Sequence, residues 1–263
     1  VESVEREFPP GDTAVAVELK LGQWRLWELG DPFLYRVTVR VADRGSGALH
    51  ETSVRCGFRD FRFEDGWFRL NGRRVFVRST HTCNHFPVGL KLPPDPDMAR
   101  RDLIDVKTMG FNMIRFIWGG AERCQLDLCD EIGLMVYEES FASWPMQDSP
   151  QLMARWNQAI TELSRRDRNH PSVVIWGLLN EVRDSPHFRL AAASLPSVRH
   201  AARTTRGAHR AGRGAGEAPP CPLPSCPSRA WRAPQARLPA HLVLPAVAPG
   251  SSAPSVPARR ECA

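Results

Sequence analysis

Residues 167–181, DRNHPSVVIWGLLNE, constrain the fold of this chain more than any other segment. Pro171 disfavours the α conformation in the residue before it, so a helix that precedes this segment ends there. Residues 173–176 are β-branched or aromatic and uncharged, which is typical of a strand buried on both faces. Asn180 and Glu181 follow that strand, at the end where an α/β barrel keeps its catalytic groups. Capping of a following helix by Glu181 explains the same pattern equally well.

Strand and helix patterns alternate along the middle of the chain. They predict strands over 74–78, 112–118, 134–137 and 173–178, and helices over 97–109, 121–132 and 152–166. Asp97 is the predicted N-cap of the first helix, and Gly110 and Gly133 are predicted to end the first two helices. Glu138 and Glu139 are expected just after the third strand. Four such units amount to half of a TIM (β/α)8 barrel, which takes about 250 residues in full.

An all-β segment precedes this alternation. Residues 14–19 and 34–41 alternate apolar and polar side chains, which is the period of a half-buried strand. Residues 42–48 predict a turn, and residues 50–55 predict the partner strand. These features suit the last strands of an immunoglobulin-like β-sandwich, and we expect the chain to begin partway through that domain.

The composition changes after Leu190. Residues 191–263 contain 18 Ala, 12 Pro and 10 Arg, and they lack Lys, Asp, Asn, Ile, Met, Phe and Tyr. Such a segment buries too little apolar surface to offset the entropy of ordering, so disorder is predicted. Arginine without lysine, beside Ala, Pro and Gly, is also what a GC-rich coding region yields in a wrong reading frame. A frameshifted segment and a genuine basic tail are the two explanations.

The net charge of the chain, +6, comes from this tail. Ten arginines and two glutamates contribute +8 there, which leaves −2 for residues 1–190. The basic balance therefore predicts no specific nucleic-acid site in the folded body, although an arginine-rich tail can bind polyanions loosely. No run is long and apolar enough for a transmembrane helix, and no signal peptide is recognised, so the compartment stays open.

Several short segments match, in order, the patterns of one enzyme family. The longest is RDRNHPSVV followed by Trp176 and an Asn-Glu pair, and the others are LW at 26–27, DPFLY at 31–35, GFR at 57–59, FRLNGRRV at 68–75, KTMGFNMIR at 107–115 and LCDEIGLMV at 128–136. Together they resemble glycoside hydrolase family 2, which includes β-galactosidases, β-glucuronidases and β-mannosidases. The resemblance runs from about residue 26 to residue 181.

The resemblance implies three regions. Residues 1–57 are expected to be the end of the immunoglobulin-like β-sandwich, residues 58–190 the first half of the TIM barrel, and residues 191–263 the low-complexity tail. It also implies that a pair of carboxylates hydrolyses a β-glycoside with retention of configuration. Glu181 would be the general acid/base, and Asn180 would bind the sugar 2-hydroxyl group.

The family's nucleophile is a second glutamate on a later barrel strand, and we expect it to be missing from this chain. Glu217 and Glu261 lie in the tail and follow no strand pattern, so neither is predicted to replace it. Without a nucleophile, hydrolysis by this chain is itself in question.

Five further residues are candidate substrate-binding residues by their place in the family pattern. Arg115 would orient a carboxylate through a charge-assisted hydrogen bond, or form a structural salt bridge. Glu139 would lie in the site, or cap a helix or face solvent. His81 and His85 lie where the family has a histidine, although the surrounding pattern is shifted. Trp144 would stack on a sugar ring or pack against the protein.

Three functions follow from these features. The first is a β-glycoside hydrolase of family 2 type, the second is a catalytically inactive fragment with at most weak carbohydrate binding, and the third is polyanion binding through the tail. No cofactor or metal is predicted, because no set of ligand residues has metal-site spacing. The sugar and the oligomeric state stay open, although residues 118–120, WGG, disfavour the β-galactosidases, which have HYP there.

Overall fold

The structure is a computed structural model that describes residues 3–8, 11, 15–17, 19, 21–86, 89–90, 95–141, 143, 147–193 and 240–242. Most of the tail predicted over 191–263 lies outside the described residues, and so do Glu217, Glu261 and Trp144. Among the described residues, no helix combines the length and the apolar character that a membrane crossing needs.

The described residues contain eleven strands and four helices. The strands are β1 Val15–Val17, β2 Tyr35–Ala42, β3 Leu49–Cys56, β4 Phe61–Glu64, β5 Trp67–Leu70, β6 Arg73–Arg74, β7 Ser79–Thr82, β8 Met113–Phe116, β9 Met135–Glu139, β10 Val173–Gly177 and β11 Ala240–Leu242. The helices are α1 Pro96–Thr108, α2 Arg123–Ile132, α3 Leu152–Asp167 and α4 Pro186–Ala193. β1 and β11 pair antiparallel and belong to a separate compact unit from residues 25–193.

Four strands form a parallel sheet in the order β10-β9-β8-β7. Ser79 lies opposite Met113, and Met113 lies opposite Met135. α1 connects β7 with β8, α2 connects β8 with β9, and α3 connects β9 with β10. Parallel neighbours need such crossover connections, and strand–helix units repeated in this order build a TIM barrel.

The first parallel strand is displaced from its predicted position. It spans Ser79–Thr82 rather than 74–78, because Arg73–Arg74 pairs with β5 as the third strand of an antiparallel sheet. β9 continues two residues beyond its predicted end. Glu138 and Glu139 therefore lie inside the strand, and the alternation of side chains sends them to opposite faces of the sheet.

The ends of the helices follow capping rules. α1 begins at a proline, and its N-cap is Asp95 rather than the predicted Asp97, because the Asp95 carboxylate accepts a hydrogen bond from the backbone N–H of Asp97 (3.0 Å). Glu122 and Gln125 form a capping box at the start of α2. Gly133 ends α2 in the left-handed conformation, as predicted.

The parallel sheet has an apolar cluster on each face. On the helix side the cluster contains Ala99, Leu103, Ile114, Phe116, Leu126, Cys129 and Val136. On the other face, Leu70 of β5 packs with Met113 and Met135, the first residues of β8 and β9. The antiparallel sheet β4-β5-β6 therefore lies against the amino-terminal ends of the parallel strands, away from their carboxyl ends.

Salt bridges connect the antiparallel pair β2–β3 to helix α2. Tyr35 lies opposite Cys56 at the end of this pair. Arg55, next to it in β3, forms ion pairs with Asp127 (2.9 Å) and Glu131 of α2. These side chains are partly exposed, so their contribution to stability is small, but they fix where the β segment meets the helix.

Trp27 is fully buried where the β segment meets the barrel. Its Nε1 donates a hydrogen bond to the backbone oxygen of Asp130 (2.8 Å). The Asp130 carboxylate accepts hydrogen bonds from the His170 Nδ1 (2.7 Å) and the Ser172 backbone N–H (3.0 Å). The histidine of the Asn-His-Pro turn therefore holds α2 against the start of β10.

Gly133 packs closely against the backbone of Leu29 at this junction. Its φ is +72°, and a Cβ atom there would overlap the backbone oxygen of Leu29. Lys107 Nζ donates a hydrogen bond to that same oxygen (2.7 Å). A side chain at position 133 would therefore have to displace both the β segment and this hydrogen bond.

We expect Gly133→Ala to destabilise the fold in two ways. The left-handed backbone alone costs an L-residue about 1–2 kcal/mol, and the overlap with Leu29 adds about 1–3 kcal/mol. Gly110→Ala is the matched control, because Gly110 also follows a helix with positive φ (+92°) but has open space around its Cβ position. Urea unfolding of both variants measures the difference, and equal losses would contradict the role given to the Leu29 contact.

Candidate active site

Arg115, Glu139 and Asn180 meet at the carboxyl ends of the parallel strands. Arg115 of β8 lies between His81 of β7 and Tyr137 of β9, which are its register partners. Glu139 is the last residue of β9. Asn180 follows β10 and forms a bridge with residue 143 of the β9 loop. The active sites of TIM-barrel enzymes lie at this edge of the sheet.

Glu139 and Arg115 form a buried ion pair at this edge. The Glu139 side chain is 0% exposed, and its Oε2 lies 2.5 Å from Arg115 Nη2 and accepts a hydrogen bond from Arg115 Nε (2.8 Å). Arg115 Nη2 also donates to Asn180 Oδ1 (3.0 Å), and Asn180 Nδ2 donates to Ser143 Oγ (3.4 Å). Glu139 is thus neither a helix cap nor solvent-exposed, and Arg115 is both a salt-bridge partner and an anchor for the Asn180 amide.

Gly177 makes room for this network. A Cβ atom at Gly177 would overlap the Tyr137 ring and would lie 3.0 Å from Glu139 Cγ. The Arg115 guanidinium carbon lies 4.9 Å from the centroid of the Tyr137 ring, within the range of a cation–π interaction. The last residue of β10 is therefore small because Tyr137 and Glu139 of β9 occupy the space beside it.

Glu181 lies at the surface of the described part of the chain. Its neighbours Leu179 and Val182 pack against the apolar cluster that contains Trp156 of α3. Glu181 itself is exposed, has φ +53°, and has no hydrogen-bond or ion-pair partner among the described residues. α4 begins only at Pro186, so Glu181 does not cap it, and that alternative explanation of the motif is wrong.

The two histidines are both exposed at this edge. His81 lies in β7, beside Arg115, and His85 lies in the loop that follows. Between them, Asn84 is buried, and its side-chain amide exchanges two hydrogen bonds of 2.9 Å with Gln125 of α2. Asn84 and Ser143 were not predicted from the sequence, because an amide or a hydroxyl in a loop carries no periodic pattern.

Glu138 occupies a different environment on the helix side of β9. It is 0% exposed, its Oε1 accepts a hydrogen bond from the Ala121 backbone N–H (2.9 Å), and its Oε2 has no hydrogen-bond partner among the described residues. Burial and the nearby Asp167 carboxylate raise the pKa of Glu138 to about 8. Protonated Glu138 can donate to Asp167, which is also paired with Arg166 (2.7 Å).

One group of described residues has side-chain atoms close enough together to bind a metal ion. The group consists of Asp127, Asp130 and His170. It lies at the junction with the β segment and not at the carboxyl edge. Asp127 is paired with Arg55, and Asp130 already accepts the His170 hydrogen bond. We therefore interpret the group as part of the junction and assign no metal to it.

Comparisons with known proteins follow the same division of the chain. The sequence profile described as "Glycosyl hydrolases family 2, TIM barrel domain" matches residues 61–212, and the profile "Glycosyl hydrolases family 2" matches residues 2–59. The parallel sheet with its crossover helices and the match to the barrel-domain profile together define the class of residues 61–212 as a TIM-barrel domain. The chain belongs to glycoside hydrolase family 2.

Solved structures of this family are similar to the chain. They include β-glucuronidase 3 of Bacteroides uniformis, which is 32% identical to this chain and has a TM-score of 0.59. The match covers 67% of this chain and 23% of that chain. The β-glucuronidase of Parabacteroides merdae has 29% identity, a TM-score of 0.60, and coverage of 67% and 24%. The β-galacturonidase of Eisenbergiella tayi, bound to galacturonate, has 28% identity, a TM-score of 0.63, and coverage of 72% and 34%.

These matches confirm the predicted fold class, which is the end of an immunoglobulin-like β-sandwich followed by the start of a TIM barrel. The chain spans about a quarter to a third of the length of the solved structures that it matches. The domain limits at residues 57 and 190 and the roles of the site residues stay predictions.

We expect Arg115→Met to cost about 3–5 kcal/mol of stability, because it leaves the fully buried Glu139 carboxylate without a partner. The double variant Arg115→Met/Glu139→Gln should recover part of that loss, since no uncompensated charge remains. Arg40→Met is the control: Arg40 pairs with Glu51 at 2.5 Å on the exposed β2–β3 pair, and such pairs contribute about 0–1 kcal/mol. Equal losses in Arg115→Met and Arg40→Met would contradict the buried ion pair.

The raised pKa of Glu138 predicts a decline of stability with pH. The folded-state pKa is about 8 against an ordinary value of 4.5, so the folded state binds the extra proton between these pH values. The stability that Glu138 contributes by binding this proton is fully present below about pH 4.5 and is lost as the pH rises through about 8. Glu138→Gln stays neutral and should flatten the decline.

Urea unfolding midpoints between about pH 5 and pH 9 measure this effect, with Glu162→Gln as the control on an exposed helix position. The control should decline with pH as the wild type does. If Glu138→Gln also follows the wild type, Glu138 is ionised in the folded protein at neutral pH.

Proposed function

We propose that this protein is a glycoside hydrolase that acts on a β-glycoside by a retaining mechanism, with Glu181 as the general acid/base. The observation that supports this most is the position of Glu181. It is an exposed carboxylate just beyond a partly buried parallel strand, next to an asparagine whose amide is oriented by Arg115. Family membership and the matching solved glycosidases support the same conclusion.

The chemistry assigned to these residues is proton transfer and sugar recognition. Glu181 donates its proton to the leaving glycosidic oxygen and then removes a proton from the attacking water. Asn180 uses its Oδ1 to accept from Arg115 and one N–H to donate to Ser143. A side-chain amide has two N–H groups, and the second has no partner among the described residues, so we assign it to the sugar 2-hydroxyl.

A retaining mechanism also needs a second carboxylate about 5–5.5 Å from the first. Of the described carboxylates near this edge, Glu139 is neutralised by Arg115, Glu138 faces the helices, and Asp148 is paired with His187 (2.9 Å). We propose that none of them is the nucleophile. The same observation favours the second candidate function, a catalytically inactive chain that at most binds carbohydrate weakly.

A β-uronide is the first substrate class to test. Two of the similar structures are β-glucuronidases, and the third is a β-galacturonidase bound to galacturonate. His81, His85 and Trp144 stay candidate sugar-binding residues in this proposal, although Trp144 lies outside the described residues. Polyanion binding through the tail also stays a prediction.

We expect Glu181→Gln to lower hydrolysis of β-glycosides by about 10²–10⁴-fold, because the leaving oxygen loses its proton donor. The purified chain is tested on methyl and 4-nitrophenyl β-glucuronides, galacturonides, galactosides and mannosides. The loss should be largest for the methyl glycosides, since a poor leaving group needs acid assistance most. Glu162→Gln, on an exposed face of α3, should change nothing.

Two results would contradict parts of this proposal. Hydrolysis of methyl glycosides that survives in Glu181→Gln would exclude Glu181 as the acid. No turnover of any substrate by the folded wild-type chain would exclude hydrolysis by this chain and would favour the inactive alternative.

A further inference from the structure

A row of three arginines crosses one face of the antiparallel sheet β4-β5-β6. Arg62 of β4 lies opposite Arg69 of β5, and Arg69 lies opposite Arg74 of β6. Residues opposite each other in an antiparallel sheet place their side chains on the same face, with Cβ atoms about 4.5–5.5 Å apart. Like charges in these positions destabilise a sheet, so the row is a local cost to the fold.

The pair β2–β3 shows how the protein compensates such a cost elsewhere. Arg36 lies opposite another arginine, Arg55. Arg55 forms ion pairs with two carboxylates of α2, those of Asp127 and Glu131. The charge of Arg55 is therefore balanced by side chains of the same fold, and this pair of arginines needs no ligand.

The arginine row is balanced less completely. Arg62 Nε lies 2.7 Å from an oxygen of Asp60, which is a close ion pair. Arg69 Nε is buried and has no hydrogen-bond partner among the described residues, and Glu64 Oε2 lies 3.5 Å from it. Arg69 Nη1 donates a long hydrogen bond to the Gly72 oxygen (3.4 Å). Arg69 therefore lies between two other arginines with weak compensation.

Arg74, at the end of the row, is held by an aromatic ring. Its guanidinium carbon lies 2.8 Å from the centroid of the Trp67 ring, and it forms no ion pair in the part of the chain that the structure describes. A guanidinium group that lies against an aromatic face keeps its N–H donors at the edge of its own plane. Arg74 is exposed, so these donors are oriented and accessible to a ligand.

We infer that this face of the sheet is a binding site for an acidic polysaccharide, with Arg69 and Arg74 as the residues that bind its carboxylate or sulfate groups. A planar guanidinium group binds such an oxyanion through two parallel N–H donors. Glu64 lies on the same face, two residues after Arg62, and its carboxylate accepts hydrogen bonds from hydroxyl groups. Arginines and a carboxylate on one face match a polymer that has both charged groups and hydroxyl groups.

A nucleic acid matches this face less well. Its backbone carries one charge on every phosphate and binds surfaces with a strong excess of cations. Residues 60–74 contain four arginines and three acidic residues, an excess of one positive charge. This small excess suits a polymer whose charges are separated by neutral groups. The sheet lies at the amino-terminal ends of the parallel strands, so the inference does not depend on the proposed hydrolysis at their carboxyl ends.

The test titrates the full ¹⁵N-labelled chain at low salt and observes the indole N–H of Trp67 by NMR. The main probe is α-linked tetragalacturonate, which is not a β-glycoside and is not consumed by the proposed hydrolysis. We expect saturable shifts of the Trp67 resonance, which Trp67→Phe identifies by its absence. Sulfated maltotetraose presents sulfate groups in place of carboxylates and separates these two ligand groups. Maltotetraose presents neither group and should shift nothing.

The double variant Arg69→Gln/Arg74→Gln should bind tetragalacturonate about 10-fold more weakly, because it loses both groups that bind the oxyanions. Its urea unfolding midpoint shows whether it folds, and the titration of the wild type needs no substitution. Arg36→Gln/Arg40→Gln is the matched control, because it removes two charges from another exposed antiparallel pair. The control should bind as the wild type does.

Three results would overturn the inference. If no acidic probe shifts the Trp67 resonance, any polyanion binding by the chain belongs to its arginine-rich tail. Equal losses of affinity in the two double variants would show that net charge, and not the arginine row, binds the probe. Tighter binding of an oligodeoxythymidylate of four nucleotides than of tetragalacturonate at Trp67 would make a nucleic acid the partner of this face.

Discussion

The buried ion pair between Glu139 and Arg115 is the interaction on which the candidate site depends. A carboxylate with no exposed surface is costly to desolvate, and this cost is offset only if its partner is close and both groups have further hydrogen bonds. Both conditions hold here, because Arg115 also donates to Asn180, and Glu139 also accepts from the Trp118 backbone. One ion pair thereby fixes the relative positions of three neighbouring strand ends, β8, β9 and β10.

Two consecutive glutamates of β9 lie in different electrostatic environments because a strand alternates its side chains between two faces. Glu139 meets a guanidinium group and accepts hydrogen bonds as a carboxylate. Glu138 meets another carboxylate, Asp167, in the apolar helix layer, and its pKa is raised to about 8. The strand that carries the site therefore has a buried ion pair on one face and a carboxyl group with a raised pKa on the other.

The family motif around β10 serves both ends of the barrel. Its first part lies at the amino-terminal end, where His170 and Ser172 hydrogen-bond to Asp130 and so position α2 and the buried Trp27. Its last part lies at the carboxyl end, where Asn180 joins the Arg115 network. A five-residue strand is only about 16 Å long. A single short motif can therefore hold structural contacts at one end of the strand and candidate site residues at the other.

The sequence by itself determined the order and type of the elements, because hydrophobic periodicity, helix caps and proline act over a few neighbouring residues. It also identified Asn180 and Glu181 as strand-end residues, since the strand before them is uncharged and the motif is long. It misplaced the first parallel strand, because Arg73 and Arg74 can pair locally with β5, and only the register with β8 shows that the barrel begins at Ser79. Tertiary structure alone decided that Arg115 orients an amide, that Glu139 is buried and that Glu138 faces Asp167. These properties depend on contacts between residues more than twenty positions apart, and no local pattern records them.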